Sequence, residues 1–74
     1  MANLIKVGET STMDIYEIEG NEYEKIQYLF SKRDDDDEAC IIRGSGQTTW
    51  TTKAAARENA DMMARIINEP TLVE

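Results

Sequence analysis

Seven consecutive charged residues, Lys32-Arg33-Asp34-Asp35-Asp36-Asp37-Glu38, sit near the middle of this 74-residue chain. Five adjacent carboxylates repel one another and disfavour both helix and strand, so the run reads as a solvated loop. The fold must therefore be built from two apolar-bearing segments joined at the surface. A chain this short makes one domain, 1–74, and buries only about 60% of its unfolded surface, so its core is small.

On the N-terminal side, Leu4 to Val7 reads as a short strand closed by Gly8. Met13 to Glu19 is rich in β-formers, although Ile15, Tyr16 and Ile18 straddle both faces. Gly20-Asn21 marks a turn, and Glu22 to Lys32 then alternates, with Ile26, Tyr28 and Phe30 on one face as the core-facing set. After the charged run, Ala39 to Arg43 reads as a buried strand and Gly44-Ser45-Gly46 as a turn. Gln47 to Trp50 returns as a second strand, so 38–50 forms a hairpin. Thr51 or Thr52 supplies a hydroxyl N-cap to a helix over about 52–68, stopped by Pro70. Ala56, Ala60, Met63 and Ile67 make its buried stripe, flanked by Asn59 and Ile66. Small alanines let its first half approach the sheet, while Met63, Ile66 and Ile67 fill the other end; Met62 is expected to be partly exposed. Residues 69–74 are expected to fray. Strands followed by one helix predict an α+β fold: a small antiparallel sheet of three to five strands, all within 4–50, with the C-terminal helix packed on it.

Composition narrows the chemistry. The net charge is -7 and there is no histidine, which excludes histidine catalysis and histidine metal ligation. A surplus of acid repels nucleic acid and anionic membranes, because binding phosphates needs Lys and Arg. Cys40, alone and within the apolar Ala39-Cys40-Ile41-Ile42, cannot staple the domain and reads as a buried hydrophobe. No signal-peptide core or membrane span is apparent, so the expected location is the cytoplasm. The Asp34–Glu38 run lacks the alternating ligands and central glycine of a calcium loop, and Gly44-Ser45-Gly46 lacks the frame and lysine of a phosphate cradle. The reading is of a protein that is no enzyme and takes no cofactor or metal.

The acidity is one-sided. Residues 1–38 hold 11 acidic and 4 basic side chains, and residues 39–74 hold 4 of each. A hairpin turning at Gly20-Asn21 would gather Glu17, Glu19, Glu22 and Glu24 at one tip, to be followed by Asp34, Asp35, Asp36, Asp37 and Glu38. Either these residues keep a small domain soluble, or they form a surface that steers onto a basic partner. Tyr16, Tyr23 and Trp50 are the aromatic candidates for short-range contact with that partner. Trp50 also has a structural reading, as an apolar cap over the start of the helix.

Two resemblances bear on function. Gly46-Gln47-Thr48-Thr49-Trp50-Thr51-Thr52-Lys53-Ala54-Ala55-Ala56 resembles the strand-to-helix passage of three-stranded DNA-binding domains of the integrase-arm kind, with the likeness covering roughly 39–67. That family implies DNA read by the sheet, here through Arg43, Trp50 and Lys53. Glu58 to Pro70 is similar to the Ala-rich, Pro-stopped helix that ends small phage proteins, and the size and acidity resemble phage-encoded inhibitors of host defence such as anti-CRISPR and anti-restriction proteins. The latter class implies stoichiometric binding to a host protein, sometimes by imitating DNA. The leading expectation is thus a phage or mobile-element accessory protein, in the host cytoplasm, that inhibits a basic nucleic-acid-handling protein or nucleoprotein complex. It would contact neither nucleic acid nor membrane directly. The alternatives are a homodimeric assembly module whose acidity serves solubility, and a weak nucleic-acid-binding sheet near Arg43 and Trp50.

Overall fold

A computed structural model describes residues 3–21 and 25–68. Five strands are followed by one helix: β1 (Leu4–Glu9), β2 (Met13–Ile18), β3 (Ile26–Ser31), β4 (Glu38–Arg43), β5 (Thr48–Thr52) and α1 (Lys53–Asn68). Each strand pairs antiparallel with its neighbour in chain order, giving one sheet in the order β1-β2-β3-β4-β5. The α+β expectation, with one helix packed on a small antiparallel sheet, holds at its five-stranded limit.

The register shows why β3 alternates so clearly. Tyr16, Tyr28, Ile41 and Thr49 lie in one row across the sheet, and Asp14, Phe30, Ala39 and Thr51 in another; both rows face α1. Ile26, Tyr28 and Phe30 are buried there with Ile18, Ala39 and Ile41, against Ala56 and Ala60 of the helix. Burial of each large apolar side chain contributes about 1.5–3 kcal/mol. The Tyr28 hydroxyl, taken out of water with its ring, donates to Asn59 Oδ1 at 2.7 Å. Phe30 is flanked by Tyr16, with ring centroids 5.4 Å apart, and covered by the Arg57 guanidinium 5.0 Å from its centroid.

Local chemistry sets the boundaries. Thr52 Oγ1 accepts from the backbone N–H of Ala55, so Thr52 is the cap and the helix begins at Lys53. Among the described residues, Gly20 (φ 79°) and Gly46 (φ 89°) occupy the left-handed positions, each in a turn closed by a main-chain bond, Asn21 N–H to the Ile18 carbonyl and Gly46 N–H to the Arg43 carbonyl.

Four expectations need correction. β1 runs past Gly8 to Glu9, because a register shift between Lys6 and Gly8 absorbs the irregularity without ending the pairing. β5 extends to Thr52, beyond the expected limit of 50, since β-branched threonines continue the ladder up to the cap. The return strand does not run unbroken from Glu22: Lys25 stands outside the ladder and β3 begins at Ile26, while Glu22, Tyr23 and Glu24 lie outside the described residues. Ile66 does not fill the core; it is 63% exposed, whereas Met63, Ala64 and Ile67 pack against the cluster. One step round the helix from Ile67 is about 100°, enough to turn Ile66 to solvent. The fraying expected over 69–74 falls outside the described residues.

Candidate functional site

Among the described residues, the helix packs on one face of the sheet and no element packs on the other. Side chains at the opposite parity to the core rows belong to this open face: Gly8, Ile15, Leu29, Cys40 and Trp50 form a continuous cross-strand row spanning all five strands. Met13 and Cys40 are buried yet stand outside the cluster beneath the helix, as members of this second face. Burial pushes the Cys40 thiol up from its ordinary value, against a backbone hydrogen bond from Thr49 that lowers it, and leaves it a poor nucleophile at neutral pH. Two apolar faces on one sheet explain why Ile15 falls out of step with Tyr16 and Ile18 in the sequence.

Trp50 is not a cap over the helix start. Its parity sets it on the open face, away from α1, and it is 62% exposed. Beside it lies a shallow groove of about 480 Å³ at the end of the sheet that carries the charged loop. Met13 and Trp50 are its apolar walls, and Ser11, Thr12, Ser31, Lys32, Arg33, Asp36 and Glu38 complete it.

The charged run occupies 32–37 as the β3–β4 connection, with Glu38 opening β4 opposite Thr52. Its carboxylates have different tasks. Asp36 accepts from the Ser31 hydroxyl at 3.0 Å and from the Glu38 backbone N–H at 3.0 Å, and these bonds hold its carboxyl below the ordinary range. Asp35 forms a two-pronged pair with Arg33, 3.2 Å from Nε and 3.0 Å from the terminal nitrogen. Asp34, Asp37 and Glu38 are exposed, and the Asp37 carbonyl accepts from the Lys53 backbone N–H.

The remaining acidic candidates lie elsewhere. Glu17 is half-buried on the open face and accepts from Gln27 Nε2 at 3.2 Å, while Glu19 is exposed in the turn after β2. Glu22, Tyr23 and Glu24 lie outside the described residues. Glu17 and Glu19 are at one end of β3 and Asp34–Glu38 at the other, roughly 20 Å apart for a six-residue strand. They make two acidic ends rather than one patch. Arg43 and Trp50 are likewise separated: Arg43 pairs with Ile26 at a helix-side position, about 10 Å along β4 from Cys40, the partner of Trp50.

One cluster escaped the sequence reading. Lys6 bridges Glu9 and Asp14, each at 3.3 Å, and Lys32 pairs with Glu9. The bonds to Asp14 and Glu9 raise Lys6, and those to Lys32 and Lys6 lower Glu9. The helix lies over β3, β4 and β5, so the helix-side positions of β1 and β2 are open to charge. The spacing of Lys6 and Glu9 was a visible hint; the contributions of Asp14 and Lys32 required the register.

Among the described residues, no group of three or more His, Cys, Asp or Glu side chains is arranged to hold a metal ion, and no helix is long and apolar enough to cross a membrane. Comparison with family models, with curated proteins and with solved structures finds no match to this chain.

Proposed function

We propose that this chain is a non-catalytic binding protein that docks on a basic, nucleic-acid-handling protein and blocks it, as a phage- or mobile-element-encoded inhibitor of host defence would. The observation that carries this reading is Trp50, 62% exposed on the uncovered face and sharing a groove with Asp36 and Glu38. An exposed indole beside carboxylates offers a short-range anchor and a long-range attraction at one place. The Glu17–Glu19 end is too far away to join that contact and serves steering or solubility instead. Because the two acidic ends are separate, the docking epitope is the loop end of the open face.

The two roles separate kinetically. With the partner recovered by affinity capture from bacterial lysate, neutralising Asp34, Asp35 and Asp37 to Asn is expected to slow association about tenfold at low salt and flatten its salt dependence. Asp36 is left intact because it holds the loop. Trp50→Ala is expected to raise the dissociation rate about tenfold or more while changing association little. Unchanged kinetics in both variants would contradict the reading.

A further inference from the structure

The sheet ends in two unlike edges. β1 carries Lys6 and Glu9 and a register irregularity at Lys6/Gly8, the usual devices that discourage strand addition. β5, Thr48-Thr49-Trp50-Thr51-Thr52, has no charge, no proline and no register shift.

Ladder geometry says which groups this edge presents. Arg43 N–H donates to the Gln47 carbonyl and Lys53 N–H to the Asp37 carbonyl. Antiparallel pairs alternate between bonded and non-bonded, so Gln47, Thr49, Thr51 and Lys53 turn their main-chain groups toward β4. Thr48 and Trp50 then turn both of theirs outward, and Thr52 its N–H, the Thr52 carbonyl being taken by the first turn of α1; among the described residues no strand lies beyond them.

We propose that two copies of this chain pair through β5, antiparallel about a two-fold axis at Trp50, to make one continuous sheet from two five-stranded ones. This rests on main-chain atoms of β5 and not on the reading above. The register centred on Trp50 sets the Trp50 N–H and C=O of each copy against those of the other, and each Thr52 N–H against the Thr48 carbonyl of the second copy. Trp50 meets Trp50 of the second copy, and Thr48 meets Thr52 on either side. Thr49 lies opposite Thr51, and Gln47 opposite Lys53. No like charges face each other along this ladder, although each copy carries a net charge of -7. The axis stands perpendicular to the sheet, so both open faces lie on the same side. The two indoles become a cross-strand pair about 5 Å apart at Cβ, and the apolar row from Ile15 to Trp50 continues across the junction. The helix lies on the opposite face over β3, β4 and β5.

Sedimentation equilibrium of the whole chain, from about 1 µM to about 500 µM, tests this. The expected result is a reversible species of twice the chain mass. Thr48→Pro sets a ring on the outward edge without removing a β4–β5 bond, which blocks the approach of a second strand, and is expected to weaken the dimer at least about tenfold with the helical circular dichroism unchanged. Trp50→Lys, which would set two ammonium groups side by side, provides the same readout should the proline variant misfold. Thr48→Pro leaves the Trp50 anchor intact, so it should still bind a captured partner, which keeps the two proposals separable. A monomer at every concentration, or a dimer equally tight in both variants, would overturn the pairing.

Discussion

Asp36 differs from its four acidic neighbours in that its side chain bonds both the end of β3 and the start of β4. By accepting from Ser31 and from the Glu38 N–H it fixes the β3–β4 connection as the charged run crosses the surface. Both bonds favour the ionised form, so its folded-state value lies below the ordinary one of 3.8. The stabilisation is therefore fully present above that ordinary value and is lost as the pH falls through the folded-state value. Glu9, lowered by Lys32 and Lys6, adds to the same dependence. We expect urea midpoints of the wild type to drop as the pH falls from about 5 to about 2, and Asp36→Ala to lower the midpoint at pH near 6 and flatten the decline. Equal slopes in the two proteins would remove Asp36 from this role. Nothing in the sequence separates Asp36 from Asp35 or Asp37, because the distinction depends on Ser31, which is brought there by the end of β3. The choice between the two readings of Trp50 was hidden for a related reason. Thr48 to Thr52 contains no polar–apolar alternation around the indole, so parity had to come from its pairing with Cys40.

At the scale of elements, the first half of α1 sits close to the sheet because Ala56 and Ala60, 0% and 1% exposed, carry only a methyl each toward Ile26, Tyr28 and Ile41. Ala60→Leu is expected to overpack this seam and cost about 1–3 kcal/mol in urea unfolding, whereas Ala54→Leu, on the exposed side, should be nearly neutral. Equal effects would mean that the alanines are not the contact. These alanines were legible, as were the Thr cap and the β3 alternation, because each is written in local spacing. The start of β3 at Ile26 was not. β2 has apolar residues on both faces, so its sequence gives no parity from which to count the register across to β3.

At the scale of the whole molecule, the sheet divides its labour between faces. One face, under α1, holds the core; the other carries an apolar row ending at an exposed indole, with carboxylates of the charged loop beside it. The one-sided acidity was plain in the sequence, but its division between two ends of β3 was not, since residues close in a list of charges lie a strand's length apart in space. The account turns on whether the loop end of the open face binds a basic partner where nucleic acid would otherwise bind. Affinity capture from bacterial lysate at about 50 mM and about 200 mM salt, with the Trp50→Ala variant in parallel and duplex DNA as competitor, tests this most directly. The account predicts a basic nucleic-acid-binding protein retained by the wild type, weakened by salt, lost with Trp50→Ala and displaced by DNA. Capture that is equal for both proteins and indifferent to DNA, or no specific capture at either salt, would contradict it.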